Sequence, residues 1–130
     1  MQNGQRMINK GKGYLMMDCI FCKIVSGDIP SKKVYEDKQV IAFHDIRPAA
    51  PVHILVIPKK HIASMNEVEE GDWGLIGAMH KAAQQIAREV GIADNGYRLI
   101  NNCGKDGGQE VFHIHYHLLG GTKMSTLLAR

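Results

Sequence analysis

Between Gly71 and Val90 the apolar residues return every three or four positions: Leu75, Ile76, Met79, Ala82, Ala83, Ile86, Ala87 and Val90. That spacing lays one apolar stripe along a helix of residues 71–90, and Gly91 is placed to end it. The other apolar patterns are short and strand-like. Lys33-Val34-Tyr35-Glu36 and Val40-Ile41-Ala42-Phe43 flank Asp37-Lys38-Gln39 and predict a hairpin. His53-Ile54-Leu55-Val56-Ile57 is β-branched and apolar, a buried strand stopped by Pro58. Tyr97 to Ile100 is a fourth strand. The fifth is Val111-Phe112-His113-Ile114-His115-Tyr116-His117-Leu118-Leu119, where apolar residues and histidines alternate. Cys19 to Gly27 is a short segment of one or two helical turns. The order predicts an α+β arrangement, a five-stranded antiparallel sheet with the long helix on one face and a short N-terminal helix.

The fifth strand carries the chemistry. Side chains alternate faces with period two, so His113, His115 and His117 share one side and Ile114, Tyr116 and Leu118 the other. Three aligned imidazoles are costly to bury without partners for their nitrogens. They titrate near neutrality, which suits acid–base, nucleophilic or metal chemistry. Just before them lies Asn102-Cys103-Gly104-Lys105-Asp106-Gly107-Gly108-Gln109. Its glycines let backbone N–H groups approach an anion, so a phosphate held there would sit beside the imidazoles. Taken alone, His53 also suits a satisfied core histidine, Asp45 a turn before Pro48, and Asn102 a left-handed turn residue.

The bulk properties narrow the class. At 130 residues the chain is long enough for one domain with a real core. No apolar run approaches the roughly 18–20 residues of a membrane span. The net charge is +3, but Arg6, Lys10 and Lys12 sit in residues 1–16, which hold no acid; the rest is balanced. A nucleic-acid backbone is therefore not an expected partner. Residues 1–16 are polar and Gly-rich, with no apolar h-region. They are expected to be a disordered tail, an upstream start or an expression remnant, with residues 17–130 as the single domain. Three cysteines do not make a disulfide framework, so a reducing, cytoplasmic setting is expected. Cys19-Ile20-Phe21-Cys22 can be half of a tetrahedral zinc site. A redox pair competes, without a βαβ pattern around it, as do two small buried apolar residues.

Taken together, these segments resemble the histidine triad (HIT) family of nucleotide hydrolases and transferases. His113-Ile114-His115-Tyr116-His117-Leu118-Leu119 meets the family pattern His-φ-His-φ-His-φ-φ in full. The resemblance runs through residues 18–121, including Ile29-Pro30, Ala42 to Ile46, His53 to Ile62, Tyr97-Arg98, Asn102, Asp106 to Gln109 and Gly120-Gly121. It is most similar to the nucleotide-binding (Hint) branch, whose members act as purine nucleoside phosphoramidases. The resemblance implies a HIT-like fold and hydrolysis of nucleoside 5′-phosphoramidates, of the adenosine 5′-monophosphoramidate type, through a nucleotidyl-histidine intermediate. His115 would be the nucleophile, with His117 and His53 contacting phosphate and managing protons. Backbone from Gln109 through Glu110 to Val111, with Asn102, would hold the phosphate oxygens, and Asp45 the ribose hydroxyls. A structural zinc, not needed for the chemistry, would take Cys19, Cys22, His61 and His113. The branch also implies a homodimer paired through the long helix and an edge strand. Tyr97 to Ile100 is a candidate edge, and Leu75, Met79 or Ile86 are expected to need cover from the partner.

Two departures bear on specificity. Glu110 stands where a small hydroxyl residue is common in the branch, and Thr122 to Arg130 lacks its tryptophan- and proline-bearing ending. The alternatives are a dinucleoside polyphosphate hydrolase, a nucleotide-binding adaptor with vestigial hydrolysis, and a metallohydrolase using the triad as zinc ligands.

Overall fold

A computed structural model describes residues 18–126. Its elements are α1 (Ile20–Ser26), β1 (Lys33–Glu36), β2 (Val40–His44), β3 (Val52–Pro58), α2 (Trp73–Glu89), β4 (Tyr97–Asn101) and β5 (Tyr116–Gly120). The strands form one sheet in the order β1-β2-β3-β5-β4, with every neighbouring pair antiparallel. β1 and β4 are its edges. The α+β expectation and the edge position of β4 both hold. The expected tail, residues 1–16, lies outside the described residues.

The sheet is covered on both faces. On one, α2 lays Leu75, Ile76, Met79, Ala82, Ala83, Ile86 and Ala87 against Val40, Ala42, Ile54, Val56, Ile114, Tyr116 and Leu118. On the other, Cys19, Phe21 and Ile24 of the α1 segment pack on Ile41, Phe43, Leu55 and Ile57. Burying each large apolar side chain contributes about 1.5–3 kcal/mol, so the alternation in β2 and β3 divides their stabilisation between two cores. Leu75, Met79 and Ile86 are all buried within the chain. This corrects the expectation that they need a partner: one helix suffices because its stripe is wide. The large apolar residues left exposed on the helices and strands are Ile20, Trp73 and Tyr97.

Local chemistry sets the helix ends. Cys19 caps α1, its Sγ accepting from the Cys22 N–H at 3.3 Å, and Gly27 ends it at φ +88°. α2 starts later than its periodicity predicts. Residues Glu70–Asp72 form a 3₁₀ turn, in which Asp72 accepts from the Glu69 N–H at 3.0 Å and from Lys60 Nζ at 2.7 Å. Val90, the last residue of the predicted stripe, turns outward beyond the end of α2.

The histidine segment departs most. Its strand ladder begins only at Tyr116, and Val111 to His115 are not paired in it. Face alternation nevertheless continues back to His113. Side contacts replace the ladder: the Ile114 N–H donates to the Ile62 carbonyl, and Asn101 Nδ2 donates to the His115 carbonyl at 2.9 Å. Among the described residues no helix is long and apolar enough to cross a membrane.

Candidate active site

All three triad histidines lie on the α1 face, and backbone carbonyls set two of their tautomers. A carbonyl can only accept. His115 Nδ1–H therefore donates to the His113 carbonyl at 2.8 Å, placing the His115 lone pair on Nε2. His113 Nε2–H donates to the Pro58 carbonyl at 2.8 Å, placing its lone pair on Nδ1. Neighbours in one row are thus wired in opposite senses. Burial holds the His115 imidazole below its ordinary range, so it is neutral near pH 7.

His53 and His117 form a linked pair. The Ala49 N–H donates to His53 Nδ1 at 2.9 Å, so the proton of neutral His53 sits on Nε2. That nitrogen stands 2.9 Å from His117 Nδ1 and 3.4 Å from Asp45 Oδ2. His117 therefore accepts at Nδ1 and carries its own proton at Nε2. Burial, then the neighbouring His115 and His53, push His117 down to about 4. Burial also lowers His53, against the opposing pull of Asp45. Asp45 serves the turn as well, since its Oδ1 accepts from the Arg47 N–H at 2.7 Å.

The glycine loop is held by Gln109. This side chain is only 6% exposed. Its Oε1 accepts from the Gly104 N–H at 2.9 Å, and its Nε2 donates to the Ala63 and Val111 carbonyls at 2.7 and 3.0 Å. The Gln109 backbone N–H is committed as well, donating to the Gly104 carbonyl at 3.0 Å. A Cβ at Gly107 would collide with the Cys103 carbonyl, so the loop closes only with glycine there. Glu110 is exposed, while Asn102 and Val111 are half-buried.

A second cluster unites residues far apart in sequence. Cys19 Sγ lies 3.4 Å and Cys22 Sγ 3.5 Å from His113 Nδ1; His61 Nδ1 lies 3.2 Å from both Cys22 Sγ and His113 Nδ1. Ligands at ordinary zinc bond lengths in a tetrahedron are separated by about 3.5 Å for N···S and about 3.3 Å for N···N. The four donors fit such an ion, and the Pro58 carbonyl already turns the His113 lone pair toward it. The Cys22 thiol hydrogen-bonds to Cys19, which lowers Cys19 and raises Cys22. A cation would replace that proton. Asp45, His53 and His117 also converge, but with different wiring. An ion on His53 Nε2 would require the proton on Nδ1, where the Ala49 N–H already points.

The sequence reading missed Phe21, Asn101 and the Ala49 N–H. Phe21 stands edge-on to His115, ring centroids 5.1 Å apart and planes at 90°. Its place between the two cysteines was the available signal.

A neutral histidine with its lone pair on Nε2, a hydrogen-bonded histidine pair and a Gln109-braced glycine loop thus stand close together on one antiparallel sheet. The family model of the HIT domain matches residues 26–124, and the chain belongs to that family. It is 49% identical to a purine nucleoside phosphoramidase of Escherichia coli strain K12, over 86% of this chain and 94% of that protein. It resembles the structure of a histidine triad protein from Clostridium difficile at 52% identity and TM-score 0.83, covering 85% of this chain and 96% of that one. A Zn-bound histidine triad family protein from Mycobacterium smegmatis is similar at 37% identity and TM-score 0.69, covering 80% and 75% respectively.

Proposed function

We propose that the protein hydrolyses purine nucleoside 5′-phosphoramidates to the nucleoside monophosphate and a free amine, as a member of the Hint branch. The observation that carries this reading is the opposite wiring of His115 and His117: one presents a lone pair at Nε2, the other an N–H. The 49% identity to a purine nucleoside phosphoramidase supports the substrate class.

His115 Nε2 attacks the α-phosphorus, and the P–N bond breaks with its electron pair on the leaving nitrogen. The bound phosphate anion raises the affinity of the His53–His117 pair for a proton, and Asp45 stabilises the charge. The pair gives that proton to the leaving amine. Water then attacks phosphorus, the bond to Nε2 breaks, and the proton of water returns to the pair. Backbone N–H groups of Glu110 and Val111, with Asn102, would hold the non-bridging oxygens; the Gln109 N–H is committed to the Gly104 carbonyl at 3.0 Å, so Gln109 serves by shaping the loop. Asp45 would also accept from the ribose hydroxyls, as a carboxylate can.

Cys19, Cys22, His61 and His113 would hold a zinc ion, and a closed set of four protein ligands makes it structural. Such an ion supplies cross-linking of the α1 segment to the sheet; no chemical step passes through it. The single domain spans residues 17–130. It works in the cytoplasm as a homodimer joined across β4, with Trp73 and Tyr97, 49% and 40% exposed, as the apolar residues a partner would cover.

The test is turnover of a panel holding an adenosine 5′-phosphoramidate and a diadenosine polyphosphate, beside His115→Ala. Preferential cleavage of the phosphoramidate by wild type alone is expected. Preference for the polyphosphate would move the protein to the other hydrolase class.

A further inference from the structure

We propose that Phe21 is a positioning residue for the nucleophile, fixing the plane of the His115 imidazole so that Nε2 points along the line of attack. This rests on the reading of His115 as nucleophile.

The His115 Nδ1–H bond to the His113 carbonyl fixes one point of the ring. The covalent link to Cβ and this one hydrogen bond still leave the ring room to rock about its side-chain torsions, and the Nε2 lone pair lies in the ring plane. A second constraint is needed to aim it. Phe21 supplies it, with centroids 5.1 Å apart and planes at 90°, alongside the His117 ring at 5.1 Å and 66°. Edge-to-face is a preferred aromatic geometry, so rotation away from it is opposed.

The Phe21 ring is itself well fixed. It is 5% exposed and makes edge contacts with Phe43 at 5.7 Å and His113 at 5.9 Å. Its backbone lies in the first turn of α1, between Cys19, whose Sγ caps that turn, and Cys22. The placement of both cysteines against His61 and His113 therefore sets where the ring stands. The segment that carries the metal-ligand cysteines thus carries the wall of the nucleophile.

A misplacement of about 1 Å costs a reaction on the order of a hundredfold, without weakening ground-state binding to the same degree. Phe21→Leu keeps an apolar side chain and removes the ring edge. In the full-length protein, the rate of nucleotidyl-His115 formation, followed by mass spectrometry, should fall about 10- to 100-fold, with KM within about threefold of wild type. Metal content per chain, measured by elemental analysis, should be unchanged. Ile41→Ala, in the same apolar cluster, is the control: it should lower Tm at least as much and leave the adduct rate within about twofold. Should Phe21→Leu fail to fold, Phe21→Met is read by the same criteria.

An unchanged adduct rate, an equal loss in Ile41→Ala, or a rise in KM with kcat maintained would each overturn the assignment. His115→Ala separates this from failure of the functional reading. If that variant still turns over, the nucleophile is wrong; if it is dead while Phe21→Leu is unaffected, only the role of Phe21 is wrong.

Discussion

His53 Nε2 lies 2.9 Å from His117 Nδ1, although 64 residues separate them in the chain. Paired strands make this possible: His53 is opposite Leu119 in the β3–β5 register, and Leu55 is opposite His117. The two imidazoles lean toward each other on one face and share a single proton position.

That pair predicts a pH response. His117 is held near 4, below the ordinary histidine value of about 6.5. The folded protein therefore binds fewer protons than the unfolded chain between those limits, and stability is lost as pH falls from about 6.5 toward 4. Denaturant titrations at pH 7 and pH 5 should show the midpoint moving down at the lower pH. His117→Gln should flatten this dependence; an unchanged slope would remove His117 as its source. The reaction scheme adds that phosphate binding takes up about one proton per site near pH 6–7, measurable by calorimetry in buffers of differing ionisation enthalpy.

His115→Ala should lower phosphoramidate turnover by several orders of magnitude while nucleotide binding persists, because the proposed reaction forms its covalent bond at the lost group. Rapid quenching followed by mass spectrometry should find a nucleotidyl adduct in wild type and none in the variant. Retention of more than about a tenth of the activity would exclude the role.

Zinc analysis of protein prepared without chelator should find about one ion per chain. Its removal should lower Tm more than it lowers the intrinsic chemical rate. Cys22→Ser should abolish binding, because the Cys2His2 set is closed and each ligand is needed. Freely titratable Cys19 and Cys22 thiols with no metal would defeat the assignment.

Gln109→Ala strips partners from the Gly104 N–H and the Ala63 and Val111 carbonyls at once. Leaving buried backbone groups unpaired costs about 1–3 kcal/mol each where water cannot reach them. A drop in stability of about that size is expected, together with weaker nucleotide binding as the loop loosens. Thermal melts and nucleotide titrations measure both.

Light scattering at micromolar concentration should give about twice the chain mass. Trp73→Glu and Tyr97→Glu should shift it toward monomer, since they place charge where apolar surface is exposed. Leu75, Met79 and Ile86 have no part in this test, being already buried within the chain.

The sequence by itself determined the elements and their faces. Periodicity read α2, the β1–β2 hairpin and the two-sided division of the histidine segment, because side-chain direction follows local backbone geometry. The H-x-H-x-H pattern with its glycine loop, through the resemblance it carries, pointed to His115 as the candidate nucleophile and to four donors that the fold brings together. Tertiary structure decided the rest. Local pattern cannot say where a ladder starts, and Val111 to His115 are held by Ile62, Asn101 and Gln109 in place of strand partners. Nor can it assign a proton to one ring nitrogen, which depends on whether a carbonyl of Pro58 or an N–H of Ala49 arrives from another part of the chain. Hydrogen bonds and ring contacts act over about 3–5 Å in space with no regard for separation along the chain. For that reason the direction of each imidazole, and the ring of Phe21 against His115, came into view only once the sheet was folded.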